Sequence, residues 1–215
     1  MTTSTAISAQ GTVVQIATGT GSGKTITVIV VGYPTIITAT SHGFSSGDYV
    51  TIAGVTGADA ALANLVWSIS NVTTHTFSIP LNSIGKTLTA TGTGTGATYT
   101  AIGNVRSFSD FESGSAAEID VTNLASTAKE FRLGLVDNGS FTMTIDHSNA
   151  DGGQQALQAR RLDGVSTNMK VILPSGTTPA ASFAGLVKKF TKSAAVDGVV
   201  TASVDVRVNG TISWA

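Results

Sequence analysis

No cysteine occurs in the 215 residues, so disulfide staples and thiol chemistry are excluded, and the composition fits synthesis in a reducing cytosol. Charge is scarce as well: Asp, Glu, Lys and Arg make up 12%, about half the usual share. A net charge of −1 provides no global field to draw in nucleic acid or an anionic membrane. With four prolines and 6% aromatics, there are few rigid breaks and little material for a stacking platform. No apolar run approaches the roughly twenty residues that span a bilayer. The opening MTTSTAISAQG has neither the basic segment nor the apolar core of a secretion signal.

What the chain has instead is threonine (33) and glycine (24). β-Branched residues fit a pleated surface and glycines serve turns, so the composition predicts β-structure with tight connections. The stretch GTGSGKTITVIVV, Gly19 to Val31, tests another use of glycine, a phosphate-binding loop. That motif needs Gly five residues before Gly23, where Thr18 stands, and it must open a helix. Here it opens a β-branched run, a poor helix start. Both requirements fail.

Charge is distributed unevenly. Residues 1–97 hold only Lys24, Asp48, Asp59 and Lys86, and all other charges follow. Two Gly/Thr tracts, Thr18–Gly23 and Thr91–Thr98, flank the poorer region and read as linkers, because such segments bury little and lose much entropy on ordering. The expected organisation is therefore a host domain over 1–18 and 97–215, interrupted at a loop by an inserted small β-domain over 19–96. Within the insert, strands are expected near Ile36–Ala39 and Tyr49–Ala53, with a turn over Gly43 to Asp48. Trp67 and Ile69 should pair hairpin-fashion with Phe77 and Ile79. In the host, Phe141, Met143 and Ile145 alternate with polar residues, as do Val200, Ala202, Val204, Val206 and Val208 with Thr201, Ser203, Asp205, Arg207 and Asn209. This is the pattern of half-buried antiparallel strands with one wet face. Asn209-Gly210 reads as a tight turn after the second of them. One helix is expected over NADGGQQALQARRLDG, capped by Asn149 or Asp151 and stopped by Gly164.

No catalytic constellation emerges. His42, His75 and His147 lack metal-ligand spacing, and no Gly-x-Ser-x-Gly elbow occurs. Asp110/Glu112 and Glu118/Asp120 sit at period two, where like charges more often mark a solvated strand face than an acid/base pair. Lys188, Lys189 and Lys192 suit a protected strand edge. The sequence therefore predicts no catalytic, cofactor-binding or metal-binding residues.

Two resemblances add to this reading. TATSHGFSSGDYVTIAGV, followed by WSISNVTTHTFSI, resembles a small β-barrel module common in phage structural proteins, which implies a fold and no activity. AIGNVRSFSDF, EIDVTNLASTAKEF, GLVDNGSFTMTIDH, the QQAL of the expected helix and VDGVVTASVDVRVNGTISW together resemble the major tail tube proteins of long-tailed bacteriophages. The departure from that family is the insert of about eighty residues in place of a short hairpin turn.

The resemblance implies a mainly β, antiparallel sandwich or barrel with one short flanking helix. It also implies assembly as stacked hexameric rings into the tail tube through which DNA is ejected. The partners it implies are further copies of the chain, the tape measure protein and double-stranded DNA in the lumen, and terminator and distal tail proteins at the ends, with no membrane. The chain would be made in the bacterial cytoplasm and reside in the virion tail. The loop Thr122 to Asp137 would reach the neighbouring ring through Thr122, Lys129, Glu130, Phe131 and Arg132. Thr201, Ser203, Asp205 and Arg207 are candidates for a wet bore, where a basic lining would hold phosphate and stall a moving duplex. Another tube-fold protein (a terminator, a distal tail protein, a secretion tube) or a glycan-binding surface sandwich would also fit parts of the pattern.

Overall fold

The computed structural model describes residues 9–174 and 180–214. The first eight residues of the expected host domain thus lie outside the described residues. In chain order the strands are β1 (Val13–Thr20), β2 (Lys24–Thr25), β3 (Val28–Val30), β4 (Thr35–Thr38), β5 (Tyr49–Ala53), β6 (Val66–Ser68), β7 (Thr76–Ile79) and β8 (Thr93–Ala101). Then come β9 (Val105–Ser109), β10 (Ser115–Asp120), β11 (Phe131–Asp137), β12 (Ser140–Asp146), the helix α1 (Gly152–Asp163), β13 (Thr167–Ile172), β14 (Ala180–Ser193) and β15 (Thr201–Trp214). The architecture is mainly antiparallel β with one α-helix among the described residues, as the sequence predicts. Two compact units divide it: 1–101 with 168–182 and 213–215, and 102–167 with 183–212.

In the first unit the strands run β6-β5-β8-β1-β13, and a second sheet runs β3-β4-β7. The Gly/Thr tracts expected to be linkers are paired strands. Gly19 and Thr20 stand opposite Thr98 and Ala97, Lys24 opposite Gly94, and Val50 opposite Gly96. Threonine's branched Cβ favours extended backbone, and the glycines admit close neighbours: a Cβ on Gly96 would come within 2.9 Å of the Phe44 ring. Between the two sheets' strands lies a closed apolar core of Ile26, Ile37, Val50, Ile52, Ile69, Phe77 and Ile79. β5 spans the expected Tyr49–Ala53. β6 pairs with β5 and β7 with β4, so the expected Trp67–Phe77 hairpin survives only as a bridge between Ser70 and Ser78.

The SHGFSSGD turn is held by its own side chains. His42 Nδ1 accepts the Phe44 N–H at 3.0 Å, and Asp48 Oδ2 accepts that of Ser45 at 2.8 Å. The rings of His42, Phe44 and Phe77 meet with centroids 4.8–5.6 Å apart. Asp48 also pairs with Lys170 of β13, both largely buried, and the Lys170 ammonium lies 4.5 Å from the Tyr99 ring centroid. Burial and the Asp48 carboxylate push the Tyr99 hydroxyl pKa far up, so it stays protonated at any physiological pH.

In the second unit β14, β15, β12 and β9 lie side by side, and β10 pairs with β11 alone among the described strands. Phe141, Met143 and Ile145 of β12 are fully buried, as are Val204 and Val206 of β15 and Phe183 of β14, so the alternation in the sequence is the core pattern. Phe111 and Phe183 pack on Phe141 at 5.5 and 5.9 Å. Asp151 caps α1 by accepting the Gln154 N–H at 2.8 Å, and Gly164, at φ +65, closes it through its N–H to Arg160 O. Buried Gln154 ties the helix down, donating to the carbonyls of Gly103 (3.0 Å) and Asp146 (2.9 Å). One expectation fails here. Asn209-Gly210 makes no chain reversal, because β15 runs through it to Trp214. Gly210 takes up a left-handed φ of +91, and its carbonyl accepts the Asn138 side chain at 2.6 Å.

Candidate assembly surface

β11, FRLGLVD, alternates apolar residues at 131, 133 and 135, as a strand with one buried face would. Yet the strand is bare. Phe131 is 52% exposed, Leu133 73% and Leu135 95%; Ile119, paired opposite Arg132 on the face away from Phe131, is exposed too, as is Val136 beyond a shift of register. An isolated two-stranded hairpin is marginal in water, and one that displays a row of large apolar side chains is a surface made to be covered. Behind it a cleft of about 700 Å³ is lined by Leu135, Val136, Val208 and Ile212 together with Glu112 and Asp137.

The connecting loop is ordered by short-range bonds. The Val121 N–H donates to Glu130 O at 2.9 Å, and the Glu130 N–H to Thr122 Oγ1 at 3.0 Å. Asn123 and Ser126 exchange two more bonds, from the Ser126 N–H to Asn123 O and from the Asn123 N–H to Ser126 Oγ. Lys129 lies 3.8 Å from Asp120 and 6.0 Å from the Phe131 ring centroid. The Thr122 hydroxyl and N–H, with a smaller contribution from Lys129, hold the Asp120 carboxyl below its ordinary range. Of the residues predicted for ring contact, Thr122, Lys129, Glu130 and Phe131 therefore cluster at the loop's base. Arg132 stands opposite Ile119 on the hairpin's other face. Leu133, Leu135 and Ile119 escaped the sequence reading, which weighed the charges around Phe131. The signal was the alternation of β11 itself.

The polar residues of β15 lie in register with those of its neighbours. Ser203, Asp205 and Arg207 of β15 stand opposite Thr144, Thr142 and Ser140, and beyond these Ser107 and Ser109 of β9 continue the rows. Thr201, Ser203, Asp205 and Arg207 are all partly exposed. Their charges are answered locally: Lys188 reaches Asp205 at 3.4 Å, and Arg207 pairs with Asp137. Arg106 reaches Asp146 at 2.6 Å in the same way. The result is a hydroxyl-rich surface with little unpaired charge. β9 ends the strand order, so its outer border pairs with no described strand and presents backbone donors and acceptors.

Residues 90–215, which carry this hairpin, helix and wet face, match the family model described as the lambda phage tail tube protein. The chain belongs to the lambda phage tail tube protein family. Its role is structural, as a component of a phage tail. The tail tube match covers β8 through β15 and leaves most of the first unit's smaller strands outside. Among solved structures, the tail of an empty gene transfer agent particle refined with C6 symmetry is similar at 19% identity. The similarity covers 54% of this chain and 86% of that one, with a TM-score of 0.44. The virion of a native gene transfer agent particle is similar at 18% identity over 54% and 88%, with a TM-score of 0.44. The SPP1 tail tube is similar at 15% identity over 54% and 67%, with a TM-score of 0.43. No curated protein matches the chain.

Proposed function

We propose that this tail tube protein polymerises as hexameric rings stacked into a hollow tube that conducts DNA, and that it has no catalytic activity. The reading rests on the β10–β11 hairpin, whose exposed apolar row needs a partner surface, and the sole repeating partner implied by a tube is another copy. In this arrangement the hairpin, with Thr122, Lys129, Glu130, Phe131 and Arg132 at its loop end, bridges successive rings. The face of Thr201, Ser203, Asp205 and Arg207 lines the bore. Its ion-paired, hydroxyl-rich surface would let a duplex pass without the counterion release that binds DNA to a basic wall. The 19–96 segment is then an inserted domain on the outer wall. The tape measure protein and DNA occupy the lumen, and terminator and distal tail proteins close the ends.

Microscopy of concentrated protein tests this. Wild type should form tubes with sixfold end views, and Leu133→Glu with Leu135→Glu should leave a folded species that forms none. Tubes from the double variant would remove the hairpin from the contact, and a wild type that stays monomeric at every concentration would remove the tube. Deleting Ser126–Lys129 should likewise impair polymerisation.

A further inference from the structure

We propose that the outer face of the β3–β4 ladder in the first unit is a self-docking surface, which binds the same face of a second copy about a two-fold axis. Register sets this face. Val30 stands opposite Ile36 and Val28 opposite Thr38, while Ile29 and Ile37 between them pack on the core. Val31 and Tyr33 follow in the turn that joins the two strands, and Ile84 sits on the loop bonded to that turn. Val28, Val30, Val31, Tyr33, Ile36 and Ile84 are 39–69% exposed. Their support is fixed in advance. The Gly32 N–H donates to Ser83 Oγ and the Ser83 N–H to Gly32 O, both at 2.9 Å. The fully buried Thr35 hydroxyl donates to Leu81 O at 2.8 Å. Little ordering is left for binding to impose.

The chemistry of the face selects another copy as its partner. No Asp, Glu, Lys or Arg occurs from Thr25 to Gly47, so a charged partner would lose its water here with nothing to answer it. β3 also borders its sheet, and the lysines and prolines that keep such borders apart are missing from Thr25 to Val31. A flat row of β-branched side chains matches itself: two such faces can pack as two sheets do, about 10 Å apart. The six side chains offer on the order of 600 Å² per copy, at the upper end of what a soluble monomer leaves bare. Two copies together reach about the 1,200 Å² at which specific interfaces begin. The pairing is separate from the proposed ring contacts. A two-fold pair sets its copies pointing opposite ways, and rings stacked head to tail do not.

Sedimentation equilibrium on the full chain carrying Leu133→Glu and Leu135→Glu, which should keep it from forming tubes, provides the test. It should show monomer and dimer with a Kd on the order of 10 μM, the weak end expected of so small an interface. Val30→Lys should weaken that dimer about a hundredfold, tenfold for each copy, because each lysine would be buried against the facing sheet. Tyr33→Ser, which touches no strand, should weaken it as well. Leu62→Lys, at an exposed apolar residue outside these strands and loops, should leave it unchanged. Unmoved amide signals of Ile37 and Phe77 confirm the fold of each variant. A chain that stays monomeric up to about 1 mM would overturn the pairing. So would a dimer that survives both Val30→Lys and Tyr33→Ser, one that is lost with Leu62→Lys, or growth past a dimer. A wild type that forms no tube is measured directly in the same way, so the two readings fail separately.

Discussion

Phe77 and Leu135 are both large apolar residues on strands, and the two units use them in opposite ways. Phe77, in β7 of the first unit, is fully buried among Ile37, Val50 and Ile52, and that unit's small sheets close on a core of their own. Leu135, in β11 of the second, is 95% exposed on a strand pair that forms no ladder with a third described strand. The first pattern closes a core within the chain, and the second would supply half of an interface in the assembly proposed above. Alternation alone does not separate them, because a strand that buries a face against its own chain and one that buries it against a neighbouring copy carry the same period.

The sharpest way to break this comparison is to truncate both. Phe77→Ala should lower the first unit's unfolding free energy by about 3–5 kcal/mol, the range for emptying a packed aromatic site. Leu135→Ala should change unfolding by no more than about 0.5 kcal/mol, as surface substitutions do. Its effect should appear in assembly, as a higher concentration threshold for polymer. Chemical denaturation and light scattering on both variants read the two effects, and a Leu135→Ala protein as unstable as Phe77→Ala would mean that the hairpin is core after all.

A smaller effect separates the units' ion pairs. Lys170–Asp48 is nearly enclosed, whereas Arg207–Asp137 is about half exposed on both sides. Removing one member of an enclosed pair strands the other, so Lys170→Met should cost about 3 kcal/mol of stability. Adding Asp48→Asn should recover part of that loss. Arg207→Gln should cost less than about 1 kcal/mol, the scale of exposed pairs. A double-mutant cycle at 170 and 48 with no coupling would show that Lys170 is held by the Tyr99 ring and not by the carboxylate.

Much of the second unit was legible because one physical signal dominated at each place. The alternation from Ala202 to Val208 gave β15's two faces, and Asp151 and Gly164 bounded α1 through capping chemistry that depends only on neighbours in sequence. The failures share a different cause. Asn209-Gly210 resembles a hairpin turn, but a reversal needs a partner strand waiting on the far side, and the chain runs on instead. The Gly/Thr tracts look like linkers by composition. Their pairing, β1 on β8 and β5 on β8, joins residues some forty to eighty positions apart, which no local window contains. The hairpin was half legible. Phe131 drew attention through its charged neighbours, while Leu133 and Leu135 lay unremarked within the loop expected over Thr122 to Asp137.

The smallest expected effect concerns acid. Asp137, at the hairpin's base, has its carboxyl lowered below the ordinary 3.8, first by the Gly139 N–H and then by Arg207. Asp59 in the first unit is lowered mainly by the Thr87 N–H. A depressed folded pKa contributes stability that is present above 3.8 and disappears as pH falls through the lowered value, so neither site should respond between pH 8 and 5. Both carboxyls are solvent-exposed, so global stability should change little. The readout is local: carboxyl titration by NMR should place the Asp137 midpoint below 3.8, and the Gly139 amide should exchange faster once that carboxyl is protonated. Arg207→Gln should raise the midpoint only part of the way, because the backbone donor is the larger cause. A midpoint at 3.8 or above in the wild type would mean that the Asp137 turn is not formed in solution. The exposed hairpin would then lack its anchor to β15, and the contrast between the units would have to rest on the first unit's core alone.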